Sequence, residues 1–127
     1  MAIRTELNLR VPNSPGTLAA ICSLLADERV NINALALDAS GQLRLVVDNS
    51  VRAAGILRER HYQVAERNVV FVPVANGPGA LAPVLAQAAE SGVNIEYAYA
   101  AASEGSAIAA VVMGVSDAAR AASAAGL

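Results

Sequence analysis

Apolar and polar residues alternate from Ile3 to Val11, which sets Ile3, Thr5, Leu7, Leu9 and Val11 on one side of an amphipathic strand. Pro12-Asn-Ser-Pro-Gly16 ends it. Ser14 stands where a helix N-cap belongs, and Pro15 takes the first helical position, where its missing N–H costs nothing. Leu18, Ile21, Cys22, Leu25 and Ala26 recur at helical spacing and predict the buried stripe of a helix ending near Glu28. Val30 to Leu37 reads as a second strand, Ala39-Ser-Gly41 as a turn, and Leu43 to Asp48 as a third strand. Asn49 or Ser50 then caps a helix carrying Val51, Ala54, Ile56 and Leu57, and Tyr62 to Ala65 returns as a short fourth strand. This β-α-β-β-α-β order predicts an α+β fold, with two helices on one face of an antiparallel sheet.

The pattern then repeats. NSPGTL at 13–18 is matched by NGPGAL at 76–81, and VNI at 30–32 by VNI at 93–95, both at an offset of 63 without a gap. Leu7-Asn-Leu-Arg-Val11 meets Val70-Phe-Val-Pro-Val74 at the same offset, and past residue 40 the register drifts by one to three positions. The chain therefore parses into two ferredoxin-like repeats, 1–67 and 68–127. The second is expected to hold a strand at 69–74, a helix at 79–91, strands at 93–101 and 106–113 and a helix at 116–125, and to lack its last strand. A unit of this size buries little surface alone, so the copies should pack on each other or on a second chain. The uncharged edge Val69-Val-Phe-Val72 should be covered, by another chain or by the stretch entering from Tyr62, unless the sequence is a truncation.

Composition narrows the function classes. The chain is 55% hydrophobic and 16% charged, which excludes a disordered protein. Tyr62, Phe71, Tyr97 and Tyr99 are its only aromatic residues, so the core must be aliphatic; of 29 alanines, 19 follow residue 74. Nine arginines and no lysine face eleven acids. Residues 1–63 carry +1 and residues 64–127 carry -3, leaving no basic field for nucleic acid. A single cysteine and a single histidine argue against an internal disulfide and against zinc, iron–sulfur and thiol-redox sites, and no cofactor is expected. The N-terminus carries charges at positions 4, 6 and 10, unlike a signal peptide, and the longest uncharged tract, 105–116, is shorter than the roughly 20 residues of a membrane span. A cytoplasmic protein with no membrane partner is expected.

The candidate chemistry lies in the loops. Asn13 and Asn76 each stand two positions before a Pro-Gly that opens a helix, whose first turn leaves backbone N–H groups for a small carboxylate. This makes Asn13, Ser14, Gly16, Thr17 and Leu18, with Asn76, Gly79, Ala80 and Leu81, candidate ligand contacts. Asn31 and Asn94 open the second strand of each copy, and an amide side chain reads ammonium and carboxylate together. The plainer alternative is that these residues only cap helices and shape turns. Tyr97 and Tyr99 share a sheet face and line either a pocket or a packing contact. Glu96 replaces Asn33 and points to the opposite face, so the two sites are chemically unequal. His61 reads as an exposed turn residue and Cys22 as a small buried hydrophobe. Ser14 has no nearby base, and Asp27 and Glu28 point apart on one helix, so no catalytic constellation emerges and an enzyme is not expected.

Apolar strand, N-x-P-G, apolar helix and V-N-I, over residues 3–125, resemble the ACT domain, and the chain is most similar to short stand-alone tandem ACT proteins of bacteria. The resemblance implies a small-molecule ligand, usually an amino acid, bound at the interface between domains and controlling an attached or partner enzyme. In the serine-binding branch the two asparagines that touch the ligand correspond to Asn13 and Asn31, and again to Asn76 and Asn94; the histidine of that branch is Val11 and Val74 here. An amino-acid sensor, as a homodimer and in contact with a metabolic enzyme, is the expectation. The rival is a ligand-free structural or adaptor protein that assembles with an enzyme subunit.

Overall fold

The computed structural model describes residues 2–124. They form six strands and four helices: β1 (Ala2–Arg10), α1 (Thr17–Asp27), β2 (Ile32–Leu37), β3 (Gln42–Val47), α2 (Ser50–Glu59), β4 (Val64–Ala75), α3 (Leu81–Glu90), β5 (Ile95–Ala101), β6 (Ile108–Val115) and α4 (Ala118–Ala124). Contacts divide the chain into two compact units, 5–67 and a second made of 68 onward together with residues 2–4.

In the first unit β3 pairs antiparallel with both β1 and β2. Alternation sends Leu7, Leu9, Leu43, Leu45 and Val47 to the helix side, where they close over Ile21, Leu25, Ala53, Ala54 and Leu57. In the second unit β6 pairs antiparallel with β4 and β5. Its core joins Val70, Val72, Val111, Met113 and Val115 with Ala88, Ala118 and Ala121. Both edge strands carry a bulge just after their first residue, at Asn33 and at Glu96. Arg29 and Gly92, 63 apart, both turn with positive φ (58° and 77°).

Several boundaries differ from expectation. α1 starts at Thr17, with Gly16 at the N-cap in the left-handed region and no side-chain cap, so Ser14 and Pro15 lie outside the helix. The Ser14 hydroxyl meets that of Thr17 at 2.9 Å instead. Val51 is 80% exposed and Ala53 takes the buried position. The hairpin shift in the second repeat is five residues, since β6 pairs Gly114 with Tyr97 where β3 pairs Val46 with Ala34. The fourth strand of the first repeat and the first strand of the second are one continuous strand, β4. The last expected residue of the final helix, 125, lies outside the described residues.

The uncharged edge at Val69–Val72 has a covering that sequence reading did not consider. Within the second unit the strand order β5-β6-β4 ends on residues 2–4 of β1. Val69 and Val70 are fully buried, and the Arg4 guanidinium stands 5.4 Å over the Phe71 ring. Residues 2–4 of β1 thus lie along the edge of β4 that was expected to need a cover.

Candidate functional site

The Asn13–Leu18 loop borders a cavity of about 160 Å³ in the first unit, room for about five waters at ~30 Å³ each. Asn13, Ser14, Gly16, Thr17 and Leu18 line it, and Leu37, Asp38 and Gly41 close it from the β2–β3 turn. The turn is tied to the end of β1 and the residue after it: the Val11 N–H donates to the Gly41 carbonyl at 2.8 Å, and the Arg10 guanidinium to the Ser40 carbonyl at 2.8 Å. Gly41 has φ 88°, and a Cβ there would stand 2.4 Å from the Val11 carbonyl oxygen, so glycine is needed on both counts. At the start of α1 the Thr17 N–H reaches the Ser14 carbonyl at 3.4 Å. The Leu18 and Ala19 amides have no acceptor among the described residues, as expected for a helix end without a side-chain cap.

Sequence reading missed Asp38, the ionisable residue of the cavity, along with Leu37, Gly41 and Ala19. Asp38 Oδ1 accepts the Ser40 hydroxyl, the Ser40 amide at 2.9 Å and the Gln42 amide at 3.2 Å. The Ser40 hydroxyl, then the Gln42 amide, hold its carboxyl below the ordinary value, so it is ionised at neutral pH. Its Oδ2 accepts no hydrogen bond among the described residues, and the Arg44 charge adds a smaller pull on the same carboxylate. Asp38-Ala-Ser-Gly41 carries a turn signature, and only the folded chain brings that turn beside residues 11–19.

Asn31 is elsewhere. Its N–H donates to Asp48 Oδ1 at 3.0 Å and its carbonyl accepts the Asp48 N–H at 3.0 Å, at the start of β2. The cavity lies beyond the other end of β2, about 20 Å away at ~3.3 Å per residue. Asn94 repeats the arrangement with Ser116, whose hydroxyl accepts the Asn94 N–H and whose own N–H donates to the Asn94 carbonyl. One repeat alone therefore does not bring its two asparagines together.

The second loop is built differently. Asn76 Nδ2 donates to the Ser103 and Ser106 carbonyls at 3.3 and 2.8 Å, and its N–H donates to the Ala107 carbonyl at 3.0 Å. Its side chain thus ties down the β5–β6 turn. Gly79 (φ 77°) and Ala80 lead into α3, and Leu81, at its first position, is 43% exposed. Asn13, at the matching position of the first repeat, is exposed with no side-chain hydrogen bond among the described residues.

The sheet faces turned away from the helices also differ. In the first unit this face carries Glu6, Asn8, Arg10, Gln42 and Arg44. Asn8 donates to the buried Glu6 carboxylate at 3.0 Å, and Arg44 lies 4.0 Å from it. In the second unit the same positions hold Val69, Phe71, Pro73, Ala110 and Val112, and β5 adds Tyr97 and Tyr99, stacked with ring centroids 6.4 Å apart. An open groove of about 440 Å³ continues from Phe71 over Pro73, Ala101 and Ala110. His61 is exposed in a left-handed turn (φ 69°) and Cys22 is half-buried on α1. Among the described residues no group of three or more His, Cys, Asp or Glu is placed to hold a metal ion, and no helix is long and apolar enough to cross a membrane.

Residues 5–59 match the family model of the ACT domain. Protein BT0572 from Bacteroides thetaiotaomicron is 31% identical in sequence and superposes with a TM-score of 0.87, over 98% of this chain and 87% of its own. The regulatory subunit of aspartate kinase from Thermus thermophilus, in a ligand-free form, superposes with a TM-score of 0.72 at 20% identity, over 98% and 92%. That from Thermus flavus gives 0.67 at 19%, over 98% and 94%. At these identities the two kinase subunits establish the fold alone. No protein of curated function matches the sequence significantly.

Proposed function

Because the chain belongs to the ACT domain family and is a relative of protein BT0572 along nearly its whole length, we propose that it is a regulatory module that binds an amino acid. The observation that carries this reading is the cavity beside the Asn13–Leu18 loop. A free amino acid needs N–H donors for its carboxylate, an anion for its ammonium and apolar wall for its side chain. The Leu18 and Ala19 amides, Asp38, and the Leu18 and Leu37 side chains supply these around one space of suitable size. Ser14, Gly16 and Thr17 shape that space. Asn31 and Asn94 enter only where a second ACT domain, of this chain or another copy, brings a strand start to a loop; a ligand at such a boundary touches both domains and shifts their packing.

A homodimer fits the uncovered edge of the first unit. β2 ends the strand order there, without a charged residue and with Leu35 and Leu37 36% and 43% exposed. A metabolic enzyme is the client that the resemblance to ACT domains implies for such a module. The expected role is control of that enzyme, not catalysis.

Thermal unfolding against the twenty amino acids, at about millimolar ligand, tests the reading. One of them should raise the midpoint, because only a ligand that prefers the folded state stabilises it. A flat response to all twenty would sink it. The protein would then be better sought as an adaptor, by its partner.

A further inference from the structure

The two loops share a sequence motif, but their asparagines do different work. Asn76 spends both amide hydrogens on its own hairpin, at Ser103 and Ser106, so it cannot turn to a ligand without opening that turn. Asn13 makes no such bond among the described residues and borders the cavity. The turns facing them differ too. The first presents Asp38, ionised and held through one oxygen; the matching residue where β5 ends in the second repeat is Ala101, and the carboxylate of that turn, Glu104, stands three residues further on.

We infer that the repeats have divided labour: the first holds the one ligand site of the chain, selective for a free α-ammonium group through Asp38 Oδ2 and Asn13, and the second loop is a structural copy. This rests on the amino-acid reading and adds to it the ligand's obligatory group and the stoichiometry. The geometry behind it is a carboxylate oxygen and an amide side chain that make no hydrogen bond among the described residues, on two residues that line one cavity of about 160 Å³ from its two bordering segments. A carboxylate pre-set by three hydrogen bonds accepts an ammonium at little cost in side-chain entropy, and a neutral N-acyl group in that place would leave it unmatched.

The test uses the full chain, the stabilising amino acid found in the panel, and its N-acetyl derivative. Titration calorimetry should give one site per chain, at least tenfold weaker binding in Asp38→Asn and Asn13→Ala, and no detectable binding of the N-acetyl form. Asn76→Ala should bind as the wild type does, although it unfolds at a lower temperature. Asp38→Asn keeps an oxygen for the turn amides, so circular dichroism should show it folded. Two sites per chain, or equal binding of the N-acetyl form, or unaltered affinity in Asp38→Asn, would overturn the inference while leaving an amino-acid sensor standing. A panel with no stabilising amino acid would overturn both.

Discussion

Leu25 and Ala88 occupy the same place, 63 residues apart, on the first helix of each repeat, and both are fully buried. Around the leucine, α1 also buries Ile21, and Leu18 and Leu24 pack against the core. Around the alanine, α3 buries nothing else and leaves Leu81 and Leu85 43% and 38% exposed. The same exchange runs across the sheet. Ala34 opposes Val46 in the first unit, whereas Tyr97 lies across Gly114 in the second, so close that a Cβ on the glycine would meet the ring at 2.2 Å. One fold is thus filled in two ways: the first unit with large aliphatic side chains under its helices, the second with alanines there and rings on the opposite face. A fold needs total volume and patterning more than particular partners.

The largest effect expected from erasing this difference is Leu25→Ala. It copies the alanine of the second repeat into a core closed around leucine and should cost about 2–5 kcal/mol in urea unfolding. Gly114→Val copies Val46 under the Tyr97 ring and should cost about 1–3 kcal/mol by overpacking. The double variant Tyr97→Ala/Gly114→Val rebuilds the Ala34–Val46 pair and should recover most of that. If it recovers none, the two pairs are not interchangeable fillings. Arg29→Gly should raise stability by up to about 1 kcal/mol, since a left-handed residue costs about that much when it has a Cβ; the reverse change at Gly92 should lower it. Asn76→Ala should lose about 1 kcal/mol and Asn13→Ala less than about 0.5, because only Asn76 holds its hairpin.

The smallest effect is one of pH. The folded carboxyl of Asp38 titrates below its unfolded value, so its stabilisation is complete above the unfolded value and disappears as pH falls through the folded one. The stability gap between wild type and Asp38→Ala should therefore close in strongly acidic solution. Side-chain NMR titration should place the Asp38 midpoint below that of an ordinary aspartate; a midpoint at or above it would mean that the turn does not hold the carboxylate.

Much of the fold could be read from local pattern. Alternation at Leu7 and Leu9 and helical spacing at Ile21 and Leu25 each lie within a single element, and the structure buries all four; Val11, one residue past β1, is buried as well. Asn49 was one of two expected caps, and it accepts the Arg52 N–H at 3.1 Å. The helix start at Thr17 was misread because Ser14 and Pro15 are good residues for that place; the left-handed Gly16 after them delays the helix. Of the site, the asparagine loops were visible as a repeated motif, and Asp38 was not.

By itself the sequence showed the repeated motifs, most of the elements in their order and the buried positions Ile21 and Leu25 of α1, because these depend on residues within a few positions of one another. Tertiary structure alone decided which segment lies beside β4 in the second unit, that Asp38 and Asn13 line one cavity, and that Asn76 is bound while Asn13 is not. Those outcomes depend on contacts between segments about 25 to 70 residues apart and on hairpin lengths, and no local periodicity encodes them.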